Sequence, residues 1–136
     1  MVNGRFSDYS LLLLRLMVVF IFLYHGVPKA LNWSLAAEKF VSMGFPGLLG
    51  PITGIVEIIT SVLILIGLYN KISNLILAFI MAGAIAGVHI PASVAAGTVT
   101  AGLERDLMLL AGVIVLAALG SGALSLAPIR SDRLKA

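Results

Sequence analysis

Long apolar runs, separated by short polar stretches, divide the chain into four segments. They run from Ser10 to Pro28, from Leu48 to Leu68, from Ile72 to Ile90 and from Leu107 to Leu126. A helix that rises about 1.5 Å per residue needs about 20 residues to cross about 30 Å of hydrocarbon, and each segment is close to that length. Membrane strands would need only about 10 residues and would alternate apolar and polar positions, which these segments do not.

The pattern therefore predicts an all-α protein, an integral membrane four-helix bundle. We expect its helices at about 10–29, 48–68, 72–90 and 106–126. These helices and their connections fill the whole chain, so residues 1–136 are expected to form a single transmembrane domain.

The stretch "NWSLAAEKFVSMGFPG" between the first two helices predicts a short amphipathic helix at about 34–43. Leu35, Phe40 and Val41 can form one apolar face of this helix. Trp33 is typical of the headgroup region of a membrane, so the short helix is expected to lie on the outer surface of the bilayer.

The composition supports a membrane protein, because 60% of the residues are apolar, 11% are charged and the mean hydropathy is +1.12. The sequence contains no cysteine, which excludes disulfides, thiol redox chemistry and thiolate metal ligands. The net charge of +3 is small and no dense basic run occurs, so a nucleic-acid partner is not expected.

The flanking basic residues predict the orientation in the cell membrane. One side would carry Arg5, Lys71, Arg130, Arg133 and Lys135, and the other would carry Lys29, Lys39 and Arg105. The excess of basic residues on the first side predicts that both termini are cytoplasmic.

Titratable residues recur inside the apolar segments, where they are costly. Arg15, His25 and Lys29 follow one another along one stripe of the first helix. Glu57 lies near the middle of the second helix, where an ionisable group costs about 2.5 to 3.5 kcal/mol on insertion scales. It is therefore expected to face the bundle interior and to pair with one of the three residues on the first helix.

Further polar residues are expected at the same outer end. His89 closes the third predicted helix, and the sequence "ERD" opens the fourth. The candidate site therefore consists of Arg15, His25, Lys29, Glu57, His89, Glu104, Arg105 and Asp106.

Each of these residues also has a purely structural interpretation. Lys29 can anchor its helix by extending its amine to the surface, and a buried pair of Glu57 with Arg15 can set the helix register. Glu104 and Asp106 can simply complement the dipole of the fourth helix. The sequence leaves both interpretations open.

Several motifs occur in an order that resembles the DoxX family. They are an arginine early in the first helix, "YHGVPK", "MGFPG", "GIVEIITSVLILIGL", a histidine that ends the third helix, and "LERDLMLLAGVIVLAALGSG". The resemblance covers about 14–126 and implies a small four-helix prokaryotic membrane protein. It places the family's recurrent polar or turn positions at Arg15, His25, Gly26, Lys29, Pro46, Glu57, His89, Glu104, Arg105 and Asp106. Ala127 stands where family sequences often carry an acid.

A related branch, DoxD, resembles the membrane subunit of thiosulfate:quinone oxidoreductase. The resemblance therefore implies a membrane subunit of a quinone-linked oxidoreductase system, with a polar cavity in the outer half of the bundle. Quinone is the expected cofactor, and His25 and His89 could exchange protons with it near neutral pH. Lys29 or Arg105 could attract a small anion such as thiosulfate. A partner subunit would have to supply the electrons.

The alternative function is a non-catalytic membrane anchor, or a binding or transport module for a small ligand. Four helices form a narrow bundle, so transport would require a homo-oligomer. A haem between His25 and His89 is disfavoured, since it requires two rings that face each other at equal depth. No metal site is predicted, because no two ligands share the close helical spacing of a metal motif.

Overall fold

The computed structural model describes residues 4–122 and 124–126, and every regular element within them is helical. The helices are α1 (Gly4–Leu31), α2 (Trp33–Ser42), α3 (Leu49–Ile66), α4 (Asn70–Ala84), α5 (Ile90–Ala96) and α6 (Ala101–Leu119). A π-helical turn, Ile85–His89, joins α4 to α5, so that they form one continuous helix. The all-α class is confirmed for these residues. Ala127 and the basic tail lie outside the described residues.

Three helices are long and apolar enough to cross a membrane: Gly4–Leu31 with 28 residues, Leu49–Ile66 with 18 and Asn70–Ala96 with 27. They confirm that the chain belongs in a membrane environment. Helix α6 has 19 residues but carries the three charged residues of the "ERD" sequence in its first two turns.

Helix α6 begins and ends earlier than the helix predicted at 106–126. Thr100 caps its start, because the hydroxyl accepts a hydrogen bond of 3.4 Å from the N–H of Leu103. Gly120 ends it with a φ of +81°, which glycine adopts at little cost. Hydropathy extends the predicted helix beyond Gly120 because it does not register a backbone turn.

Helix α2 spans Trp33–Ser42, close to the range predicted from the apolar face. The Asn32 side chain does not cap it, since its amide instead donates a 3.3 Å hydrogen bond to the carbonyl of Pro28. Ala36 is buried against Gly50, the second residue of α3. Helix α2 is therefore packed on the start of α3.

The helices pack mainly in two pairs, α1 with α3 and α4 with α6, and α3 also contacts α4. The apolar core between them consists of Val18, Val19, Phe22, Ile64, Leu77, Met81, Leu109, Val113 and Leu116. We call the end of the bundle that holds Lys29, His89 and the start of α6 the histidine end. The opposite end, with the turn between α3 and α4, is called the Lys71 end.

Candidate functional site

Helices α1 and α3 cross at two glycines, which brings their backbones close together. A Cβ atom at Gly54 would lie 2.6 Å from Cβ of Lys29 and 2.8 Å from the carbonyl oxygen of Gly26. A Cβ atom at Gly26 would lie 3.0 Å from Cβ of Glu57. Only glycine fits at position 54, and Gly26 leaves little room for a side chain. The crossing places Lys29 beside Glu57.

Lys29 and Glu57 form an ion pair in which Nζ lies 2.6 Å from Oε1. The Glu57 side chain is only 2% exposed, whereas the Lys29 side chain is 24% exposed. The second carboxylate oxygen of Glu57, Oε2, is buried and has no hydrogen-bond partner. Glu57 is therefore held on one side and keeps an acceptor free on the other.

Asp106 is the centre of a second group of charges. Its Oδ1 lies 2.7 Å from Nε of Arg105, and its Oδ2 lies 3.1 Å from Nε2 of His89. Asp106 itself is buried, while Arg105 is 38% exposed. Since a carboxylate only accepts, the Nε2–H of His89 donates to it.

Arg105 also extends from Asp106 towards helix α1. Its Nη1 lies 3.4 Å from Nε2 of His25, which makes a long hydrogen bond. Because guanidinium only donates, this nitrogen accepts and a neutral His25 carries its proton on Nδ1. The ring of Tyr24 meets the His25 ring edge to face, with 5.3 Å between centroids.

The π-helical turn Ile85–His89 determines where the His89 ring lies, and the sequence pattern does not predict this turn. Pro91 follows it; proline has no backbone N–H, and its ring clashes with the carbonyl four residues earlier in an α-helix. The wider turn accommodates Pro91 and lets the helix continue to Ala96, beyond the end predicted at 90. The His89 ring then packs on Gly102, where a Cβ atom would lie 2.5 Å from Nδ1.

The structure thus brings together six of the eight predicted site residues. We call this set the charge cluster; it consists of His25, Lys29, Glu57, His89, Arg105 and Asp106. The cluster is made of two contact groups, the Lys29–Glu57 pair and the chain from His25 through Arg105 and Asp106 to His89. Glu104 is exposed at the start of α6, and its side chain forms no hydrogen bond or ion pair with the described residues.

Arg15 lies elsewhere, towards the Lys71 end, and its two terminal nitrogens bind the main chain. Its Nη1 donates to the carbonyls of Ser121 at 2.6 Å and Leu124 at 3.0 Å, and its Nη2 donates to that of Leu65 at 2.7 Å. The pairing of Arg15 with Glu57, one of the sequence alternatives, is not formed. Arg15 instead ties the end of α3 to the segment that follows α6.

A set of buried polar residues near the Lys71 end is absent from the sequence prediction. The Asn70 amide donates to the carbonyl of Leu116 at 2.7 Å, and the Asn74 amide donates to the carbonyl of Asn70 at 2.8 Å. The sequence "NKISNLIL" holds a signal for them, because Asn70, Ser73 and Asn74 share one face of the helix. That face is buried in the structure.

Two surface hollows lie away from the charge cluster. One, of about 480 Å³, is at the Lys71 end and is lined in part by Asn70, Lys71 and Ser121. The other, of about 350 Å³, lies between α3 and α4 and is lined mainly by apolar side chains, with Tyr69 and Ile72 shared between the two. The charge cluster itself is formed by side chains packed on one another.

The fold and the cluster define a helical membrane protein with paired charges at one end of its bundle. The chain belongs to the DoxX family, whose profile matches residues 10–90. The family resemblance seen in the sequence motifs is therefore confirmed.

Two proteins of known sequence are similar to this chain. The chain is 32% identical to "Putative oxidoreductase CatD" of Bacillus subtilis over 117 residues, which cover 86% of this chain and 84% of the relative. It is 31% identical to an uncharacterised protein of Haemophilus influenzae over 87 residues, 63% of each chain. No solved structure shows a significant match.

Proposed function

We propose that the chain is a membrane subunit of a quinone-linked oxidoreductase system. The observation that carries the proposal is the contact of Arg105 with His25, next to a lipid-exposed aromatic pair. Tyr24 and Phe20 are exposed and stack with 6.5 Å between ring centroids, and Tyr24 also touches His25. A quinone ring that diffuses in the bilayer could stack on these residues and place its carbonyl oxygens near the donors of the cluster.

The topology that we propose has four membrane helices, with α6 as the fourth. Its three charges lie in the first two turns, at the histidine end, and the residues from Leu107 to Leu119 carry none. Trp33, Leu35 and Val41 are exposed, which suits a helix α2 that lies on the outer membrane surface. The distribution of basic residues in the sequence supports a cytoplasmic Lys71 end and cytoplasmic termini.

The charge balance favours a neutral ligand over a small anion. With neutral histidines, the two cations Lys29 and Arg105 balance the two carboxylates Glu57 and Asp106, so the formal charge of the cluster is zero. A dianion such as thiosulfate would gain little binding free energy from a cluster whose formal charge is zero. A quinone is neutral, and its oxygens need hydrogen-bond donors, which Arg105 and Lys29 supply.

The residues of the cluster would divide the work of quinone chemistry. Reduction of a quinone to a quinol takes up two electrons and two protons, and the protons go to the carbonyl oxygens. His25 and His89 could transfer protons near neutral pH, while Asp106 keeps His89 in position. Arg105 would hold a carbonyl oxygen by hydrogen bonding. The electrons would come from a partner subunit, because the sequence has no cysteine for thiol or cluster chemistry.

We propose no haem and no metal for this site. The Nε2 atoms of His25 and His89 already face Arg105 and Asp106. In addition, no three or more His, Asp or Glu side chains in the described part of the chain are arranged so that they could hold one metal ion.

The second candidate function is a non-catalytic binding module. It is favoured by the mutual pairing of the cluster, in which both carboxylates are paired within the protein. Such a module would bind quinone or another small ligand without electron transfer. It would lack any change in quinone redox state when the partner subunit is added.

The single tryptophan, Trp33, provides a direct binding test, because quinones quench indole fluorescence and Trp33 lies near the histidine end. We expect decylubiquinone to quench it saturably in nanodiscs that contain the purified protein. Arg105→Gln and His25→Leu should weaken the apparent affinity about tenfold or more, which is about 1.4 kcal/mol. Tyr24→Leu should weaken it less.

The matched control is Tyr9→Leu, which removes an equally exposed tyrosine of α1 at the opposite end of the helix. It should bind quinone as the unmodified protein does. Quenching that never saturates and is equal in all variants would show simple partition into the lipid and would refute the proposal.

A further inference from the structure

Four buried side-chain atoms have no hydrogen-bond partner among the described residues. They are Nε of Arg15, Oε2 of Glu57, Oγ of Ser61 and Oδ1 of Asn74. Ser61 and Asn74 are both 0% exposed. An unpartnered polar atom in the membrane interior costs several kcal/mol, so such atoms usually bind water or take part in function.

Two of these atoms follow each other along α3. Glu57 and Ser61 are one helical turn apart on its buried face, and Ser61 is nearer to the Lys71 end. Ser61 lies five residues before the end of α3, about 7.5 Å along the helix axis. The acceptor of Glu57 that is free of partners is therefore one turn from a second unpartnered polar atom.

The third atom continues this row on α4, which packs against α3. Asn74 lies four residues after the start of α4, about 6 Å along its axis, so it is at a depth similar to that of Ser61. Its amide donates to both the main-chain and the side-chain oxygen of Asn70, at 2.8 and 3.0 Å. Asn70 in turn lines the hollow of about 480 Å³ at the Lys71 end.

We propose that Asn70, Asn74 and Ser61 mark a hydrated path that carries protons from the hollow at the Lys71 end to Oε2 of Glu57. A proton would leave water in the hollow, pass along water molecules that these side chains hold, and arrive on the carboxylate. Lys29 then loses its anionic partner, and the charge of the cluster rises by one. The path rests on the proposed function in that quinone reduction at the cluster would use this proton.

The path is closed by packing in the structure. Ile64 and Leu77 are fully buried on the same helix faces as Ser61 and Asn74. Water can enter only when these side chains move. The path therefore differs from an ion channel, which is open to water along its whole length. Val113 of α6 is also 0% exposed and serves as the control for the polar positions, because it is not one of the side chains that close the path.

The absence of cysteine makes the chain a ready background for single-cysteine labelling. Ser61→Cys, Asn74→Cys and Val113→Cys would be placed in nanodiscs and exposed to silver ion, a small thiol-reactive probe. Ser61→Cys is nearly isosteric and loses no hydrogen bond of the hydroxyl. We expect it and Asn74→Cys to react about tenfold faster than Val113→Cys, since a thiol reacts as the hydrated thiolate. Equal rates at the three positions would overturn the path.

A second experiment tests from which end of the bundle the proton path is entered. Vesicles would be treated from outside with silver ion, which is small and does not cross the bilayer, and the thiols left unreacted would be counted after solubilisation. Tyr69→Cys reports the fraction of molecules with the Lys71 end outward, and Leu35→Cys reports the opposite fraction, since both positions are exposed. Labelling of Ser61→Cys should match the Tyr69→Cys fraction. A match to Leu35→Cys would overturn the route, and neither experiment depends on quinone binding.

Discussion

Lys29 Nζ lies 2.6 Å from Oε1 of Glu57, across a helix crossing at which Gly54 leaves no room for a side chain and Gly26 leaves little. The glycines bring the two helices together, and the ion pair then satisfies a carboxylate that would be costly in a membrane. Backbone packing and charge pairing at this crossing therefore depend on each other.

Removal of one partner of this pair should destabilise the protein strongly. Lys29→Met leaves a buried carboxylate without its cation, a loss of about 3 to 5 kcal/mol for buried pairs. The double variant Lys29→Met with Glu57→Leu should recover most of that loss. Unfolding in mixed detergent micelles measures both, with Lys39→Met on the exposed face of α2 as the control. A loss of less than about 0.5 kcal/mol for Lys29→Met would show that the pair contributes little.

An alanine at the helix crossing should be poorly tolerated. In Gly54→Ala, the new methyl group would lie 2.6 Å from Cβ of Lys29 and 2.8 Å from a main-chain oxygen, so the helices must separate. We expect a loss of about 1 to 3 kcal/mol in unfolding free energy. Gly83→Ala is the control, because no atom lies within 4 Å of its added Cβ. Equal stability of the two variants would contradict the close approach.

Arg15 should matter for stability and not for ligand binding. Arg15→Lys keeps the charge but cannot reach three carbonyls, so the unfolding free energy should fall by about 3 kcal/mol. Quinone affinity, measured by Trp33 quenching below the unfolding transition, should stay within about twofold of the unmodified protein. A tenfold weaker affinity for quinone at unchanged stability would show that Arg15 belongs to the ligand-binding site.

Asp106→Asn should lower both the stability of the protein and its affinity for quinone. The buried carboxylate accepts from Arg105 and His89, and an amide can replace only one of its two acceptor oxygens. We expect a loss of about 1 to 3 kcal/mol in unfolding free energy, together with weaker quinone binding, as His89 loses its orientation. Glu104→Gln serves as the control, since Glu104 is exposed. Unchanged quinone affinity in Asp106→Asn would show that the orientation of His89 does not matter for ligand binding.

Much of the candidate site could be predicted from the sequence. The cost of a titratable residue within an apolar segment led to Glu57, while His25 and His89 were predicted from their places at the outer ends of the first and third helices. Their partners could not be predicted, because several cations share the stripe that includes Arg15 and Lys29. The close approach of α1 and α3 at Gly26 and Gly54 could not be predicted either, because it depends on how two separate helices pack.

The sequence by itself determined the membrane environment, the helical class and the need for its internal charges to face inward, because these follow from the local cost of placing each residue in hydrocarbon. Only the tertiary structure decided which charges meet. Lys29 pairs with Glu57 across 28 residues, and Arg105 reaches His25 across 80. Those contacts depend on the glycine crossing and on the π-helical turn before Pro91. Both depend on backbone geometry, about which the hydropathy pattern gives no information.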